Sequence, residues 1–225
     1  MARKFIFSPG EYYHIYHRGV DKRKIFLDGA DYRRFLTTLF VANNTAPTRR
    51  SDYLYHDDGI YELGKEMTLV DIGCYALLPN HFHLLVHEHT EGGMSKFAQR
   101  FLTAYTMYFN KRYQRTGPLL GGKFRAEHAK TDRYLKYLYA YIHLNPLSLK
   151  HPKWKDAEQI PKKEWVAELT RYQFSSLPDY LENMPRKQKA IIKPDAFPDY
   201  FGCPEVMLDD LADWITVAKN VKVEP

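Results

Sequence analysis

Two histidines, a tyrosine and an asparagine carry the most pointed chemistry in this chain. His81-Phe82-His83 opens an apolar run that reads as a β-strand, and strand side chains alternate faces. Both imidazoles therefore point one way, while Phe82, Leu84 and Val86 point into a core. Two residues of strand rise separate the rings by ~6.5 Å, within reach of one divalent ion after side-chain rotation. Tyr141 and Asn145 are four positions apart on a run that reads as a helix, so a phenol and a carboxamide share a face. His143 lies ~200° around the same helix and is assigned to structure or surface. Taken singly, each feature is ordinary: a histidine pair on a strand is more often structural, and an Asn before Pro ends a helix. Taken together, two imidazoles, an amide oxygen and a phenol are what metal-assisted phosphoryl transfer with a tyrosine nucleophile requires. An unperturbed phenol has a pKa near ~10, so a base, an ion or nearby cations must assist it at neutral pH. His87 and His89 continue the same strand face and offer an alternative ligand pair.

The elements that must position these groups follow from periodicity. Tyr12 to Val20 reads as a strand followed by a basic turn, and Asp31 to Asn43 as an amphipathic helix with Tyr32, Phe35, Leu36, Leu39 and Phe40 on one stripe. Residues 44 to 67 show no sustained periodicity and read as an excursion. Thr68 to Leu78 and His81 to His89 are apolar runs separated by Pro79-Asn80, the pattern of a tight hairpin. Met94 to Gln114 is a second amphipathic helix, Lys123 to Ala129 a short strand, and Asp132 to Asn145 a helix stopped by Pro146. The order β-α-β-β-α-β, then helix, predicts an α+β, ferredoxin-like (split βαβ) antiparallel sheet with helices on one face and the other face free for a ligand, plus a C-terminal helical extension. Beyond residue 180, Pro185-Arg-Lys-Gln-Lys reads as a basic linker and Val206 to Ala218 as an acidic amphipathic helix. The expected division is a catalytic domain over 1–180 and a linker with an acidic helical tail over 181–225.

Composition narrows the partners. The 225 residues carry a formal charge of +6, but residues 195 to 225 hold seven acids against two lysines, net −5, leaving +11 on residues 1 to 194. A strongly basic body suits a polyanion, and 18 Tyr and 13 Phe supply flat faces for unstacked bases. Arg18, the Lys22-Arg23-Lys24 cluster and the pair Lys123 and Arg125 are the candidates for gripping phosphates. The acidic tail is expected to lie over part of this basic face. No apolar run approaches the ~18 residues of a membrane span, so no membrane partner and a cytoplasmic, nucleoid-associated location are expected. Only Cys74 and Cys203 are present, which suggests neither a disulfide framework nor a cysteine zinc site.

Several stretches resemble the HUH single-tyrosine transposases, particularly the REP-associated tyrosine transposases. They are Tyr13-His-Ile-Tyr-His-Arg-Gly-Val, Leu78-Pro-Asn-His-Phe-His-Leu-Leu-Val, Phe124-Arg, Asp132-Arg-Tyr-Leu, Tyr141-Ile-His-Leu-Asn-Pro and Phe174-Ser-Ser-Leu-Pro-Asp-Tyr, spanning about residues 12 to 180. The resemblance implies a nickase and strand transferase for single-stranded or hairpin DNA that uses a divalent metal, Mg²⁺ or Mn²⁺, and leaves a covalent 5′-phosphotyrosine. It implies His81, His83 and Asn145 as metal ligands, Tyr141 as nucleophile, and a monomer or homodimer acting on palindromic repeats. The long 44–67 excursion, Ala140 in place of a frequent basic residue and the acidic tail depart from that pattern. Two rival readings remain: a non-catalytic, RRM-like single-strand-binding module, and a metal phosphohydrolase that activates water and uses Tyr141 only for packing.

Overall fold

A computed structural model describes residues 6–46, 58–62, 67–155, 160–181 and 186–217. Four strands, β1 (Glu11–Arg18), β2 (Asp71–Leu78), β3 (His81–Glu88) and β4 (Arg125–His128), form one antiparallel sheet in the order β2-β3-β1-β4. Pro79-Asn80 makes the two-residue turn between β2 and β3. α1 (Gly29–Ala42) crosses from β1 to β2 and leaves the place between them to β3; α2 (Gly93–Arg112) then leads to β4. This is the split βαβ arrangement expected from the element order.

α1 and α2 pack on one sheet face, where Tyr13, Ile15, Phe82, Leu84 and Val86 meet Phe35, Phe101 and Tyr105. The Asp28 carboxylate starts α1 by accepting from the backbone N–H of Ala30 and Asp31. The buried Asp31 carboxylate then ties α1 to α2, accepting from Arg112 at 2.8 Å, Tyr113 at 2.9 Å and Tyr108 at 3.1 Å.

The opposite face is not left open. α3 (Asp132–Leu144), capped by the Thr131 hydroxyl, lies across it. It is joined there by α4 (Lys162–Arg171), α5 (Leu177–Tyr180) and α6 (Pro204–Val217). The cause is the composition of the central strands. All eight β2 residues are buried, and Cys74, Ala76, Leu78 and Leu85 present an apolar surface that demands its own cover. Gly73 permits a close approach here, since a Cβ would sit 2.5 Å from the Tyr139 hydroxyl.

The C-terminal segment packs on the same body. Arg186 pairs with the buried Asp179 at 3.3 Å and donates to the Tyr75 hydroxyl at 3.2 Å, and Ile191 and Ile192 enter the first core. Met207, Leu211 and Ile215 of α6 are buried in the second core, while Asp210 meets Lys136 at 2.9 Å and Asp209 meets Lys162. Pro185, residues 218–225 and most of the 44–67 excursion lie outside the described residues; within the excursion, Asp58–Glu62 forms a 3₁₀ turn. Cys74 and Cys203 are both free thiols. Among the described residues no helix is long and apolar enough to cross a membrane.

Candidate functional site

The end of β1, the β2–β3 turn and the start of β4 meet at one end of the sheet. In register, His81 lies opposite Arg18 and His83 opposite Tyr16, with Leu78 and Ala76 on their other side; Arg125 lies opposite Tyr16. Leu78 and Ala76 flank this row on the β2 side, and α3 sets a phenol over it. Tyr141 meets His83 edge-on, with ring centroids 5.5 Å apart, and His83 meets His81 at 5.0 Å. The Asn145 carboxamide, one turn on from Tyr141 where Pro146 ends the helix, lies near enough to both His81 and Tyr141 to act on their titration, favouring the charged form of each. The two elements thus bring together all four groups singled out by spacing, within one chain.

A third imidazole joins them. His14 Nε2 lies 2.9 Å from His83 Nδ1, and the rings stack with centroids 5.1 Å apart. Both residues are 0% exposed. His83 Nε2 and His14 Nδ1 are buried and have no hydrogen-bond partner. At His81 the Nδ1 lies 2.6 Å from the Asn80 amide oxygen, so Nδ1 carries the proton and Nε2 keeps its lone pair. Burial pushes His81 down to about 4 and His14 down to about 3, and it holds His83 well below its ordinary value. The rings are therefore neutral at physiological pH, the form that ligates metals. An orphaned, fully buried imidazole nitrogen beside a second free nitrogen and an amide oxygen fits a divalent cation.

Tyr141 is 2% exposed. Burial pushes its phenol up to about 12, against the Asn145 carboxamide and the Arg18 charge, which act in the other direction. The Lys155 ammonium lies 4.5 Å from the ring centroid and Trp154 packs at 6.5 Å, so the turn after α3 covers the phenol.

The basic candidates surround this end of the sheet. The 19–25 loop is stapled to the hairpin turn by Gly19 N–H to Asn80 O and Ile25 N–H to Pro79 O, and Asn80 Nδ2 donates to the Lys22 carbonyl at 3.3 Å, which sets Lys22 beside the turn that precedes His81. Gly19 is required there, because a Cβ would meet Arg23 O at 2.3 Å. Lys22 is exposed, and Arg23 lies 3.7 Å from Asp21. Lys123 and Arg125 are exposed on the approach to β4. His143 is buried with its Nε2 2.9 Å from Ser176 Oγ, a structural role in keeping with its angle on the helix.

Spacing did not point to His14, Lys155 or Glu127, which accepts from the hydroxyls of Tyr16 and Tyr134 at 3.1 and 2.7 Å. His14 was open to detection only through register: its strand partner is Leu85, on the His81–His83 face. Two further groups bring ligand atoms close together, Asp71 with His87 and His89, and His151 with Glu164 and Glu168.

No protein-family model matches the chain, and no curated protein matches it. Among solved structures, a REP-associated tyrosine transposase bound to a REP hairpin matches with a TM-score of 0.51 over 89% of this chain and 94% of that one, at 13% identity. The fold is shared. At that identity the likeness speaks for the architecture alone.

Proposed function

We propose that this protein is a divalent-metal-dependent DNA-nicking and strand-transfer enzyme, acting on single-stranded or hairpin DNA of the REP palindrome type through a covalent 5′-phosphotyrosine at Tyr141. The observation that carries the reading is the meeting of Tyr141, His81, His83 and Asn145 around an unclaimed imidazole nitrogen. His81 Nε2, His83 Nε2 and the Asn145 amide oxygen would hold Mg²⁺ or Mn²⁺. When bound there, the ion supplies charge neutralisation on the scissile phosphate and eases ionisation of the phenol. Tyr141 Oη forms the new bond to phosphorus, the bond to the 3′ oxygen breaks, and a free 3′-hydroxyl leaves. His14 acts on the ligand: with Nε2 committed, His83 Nδ1–H donates to His14 Nε2, which fixes ring and tautomer. Arg18, Lys22, Arg23, Lys123 and Arg125 grip the phosphates on either side.

Because Tyr141 is so fully covered, a phosphodiester reaches it only when the Trp154–Lys155 turn gives way. The same burial is the observation that favours the binding-only, RRM-like reading. All four groups can be supplied by one chain, which suits a monomer or a homodimer with two separate sites. We take residues 1–180 as the catalytic body, with 181–225 as an appendage bracing the tyrosine helix. The deciding experiment incubates the protein and Tyr141→Phe with a hairpin oligonucleotide and Mn²⁺. A covalent adduct on a denaturing gel, lost in the variant while binding persists, supports the proposal. Binding without any adduct supports the module, and cleavage retained in Tyr141→Phe points to water as nucleophile.

A further inference from the structure

We propose that Asp71, His87 and His89 form a second divalent-metal site, of zinc type, at the end of the sheet opposite Tyr141. His87 Nδ1 and His89 Nδ1 each lie 3.1 Å from the same oxygen, Asp71 Oδ2. The three ligand atoms all fall within 4.8 Å of one another. His89 Nε2 lies 2.7 Å from the Thr68 carbonyl oxygen. A carbonyl only accepts, so His89 Nε2 carries the proton, and a neutral His89 aims the Nδ1 lone pair at a carboxylate lone pair. That approach is relieved either by a second proton on the ring, which makes it an ion pair, or by a metal cation between the two groups. A ring N–H held by a backbone carbonyl is also the contact by which ligating histidines are oriented.

Zinc bonds of about 2.0–2.1 Å in tetrahedral array separate ligand atoms by roughly 3.4 Å, so the 3.1 Å spacing needs little adjustment. Two imidazoles and one carboxylate favour Zn²⁺ over Mg²⁺. Lys193 Nζ and Thr68 Oγ1 engage the other carboxylate oxygen, Oδ1, at 3.1 and 3.5 Å, leaving the Oδ2 side clear. Asp71 is 4% exposed while His87 and His89 are 17% and 29% exposed, so the cluster opens to solvent on its imidazole side, which gives the ion an entry path and a fourth, water-bearing position. The ion would clip the start of β2 to the end of β3, beside the segment that carries Lys193.

The test is metal stoichiometry in the full chain, stripped with chelator and titrated with Zn²⁺ and with Co²⁺ as a spectroscopic stand-in. His87→Gln/His89→Gln alters partly exposed side chains and spares the core. Two equivalents in the wild type falling to one in the variant, with loss of tetrahedral Co²⁺ bands and of a Zn²⁺-induced rise in Tm, is the expected result. One equivalent falling to none supports this site equally, with the weaker Mg²⁺ or Mn²⁺ site proposed at His81 and His83 silent to zinc. No binding in the wild type, or equal stoichiometry in both proteins, overturns the inference. His81→Ala/His83→Ala supplies a second measurement, since it must retain one tight equivalent.

Discussion

His14→Phe isolates a role that the four principal groups do not report. Phenylalanine keeps a ring of similar size stacked on His83, so the fully buried site stays filled, but the acceptor 2.9 Å from His83 Nδ1 is gone. When His83 Nε2 holds the ion, its Nδ1–H then has no partner in a place water does not reach. Leaving a buried donor unpaired costs about 1–3 kcal/mol, which is roughly a 5- to 150-fold weakening. Loss of an outer hydrogen bond to a ligating histidine independently costs about 10- to 100-fold in metal affinity. The two ranges coincide, so Mn²⁺ affinity should fall by about 10- to 100-fold, with nicking largely recovered at saturating Mn²⁺. Mn²⁺ titration followed by electron paramagnetic resonance reads the affinity, and melting of the metal-free protein separates this effect from loss of fold. A folded variant whose Mn²⁺ affinity stays within about threefold of wild type refutes the argument that His83 ligates through Nε2 with His14 behind it.

Three further outcomes are expected. His143, whose pKa burial lowers from 6.5 to about 3, binds a proton in the unfolded chain below about pH 6.5 but not in the folded one, so its contribution makes stability fall as pH falls. Between pH 7 and 5 this amounts to about 2 kcal/mol, and urea melts of His143→Gln should show a correspondingly shallower acid loss than wild type; an equal loss would contradict the assignment. Arg186→Ala leaves the buried Asp179 carboxylate without its cation and should destabilise by about 3–5 kcal/mol in denaturant unfolding, whereas a change below 1 kcal/mol would mean that the pair is idle. Lys22→Ala/Arg23→Ala should lower the magnitude of the log–log salt slope for single-strand binding by about 1.4, two phosphate contacts at ~0.7 each, and an unchanged slope would place the DNA elsewhere.

Much of the scaffold was legible from local pattern. The Pro79-Asn80 hairpin follows from turn chemistry, and α1 follows from a stripe in which Phe35, Leu36, Leu39 and Phe40 are all buried. The convergence of His81, His83, Tyr141 and Asn145 was legible because alternation and helical phase are themselves geometric rules. What covers the second sheet face was not. The uninterrupted apolar run of β2 announces burial on both sides, yet Trp165, Leu169, Phe197 and Leu211 come from short segments whose docking depends on each other. A basic stretch beginning at Arg186 resembles a linker until Asp179 is placed beside it. The acidic helix was expected over the basic face; its described part packs on α3 and α4, where Asp210 meets Lys136 and Asp209 meets Lys162, and Trp214 packs on Tyr137, one turn before Tyr141.

β3 carries His81, His83 and His87 on one face, with His89 just past its end, and their neighbours give its two ends different chemistry. At the 81–83 end, Nδ1 of each ring is engaged by a neutral group, Asn80 or His14, and Nε2 of His83 is left buried without a partner. On the function proposed above, an ion there would be held loosely enough for a phosphate oxygen to share it, because the ligands bring no net charge. At the 87–89 end the ring nitrogens turn to a buried carboxylate, which adds a full negative charge and favours a firmly held ion. The strand supplies the same alternation at both places. What differs between them is the group beside each Nδ1: Asn80 or His14 at one end, the Asp71 carboxylate at the other.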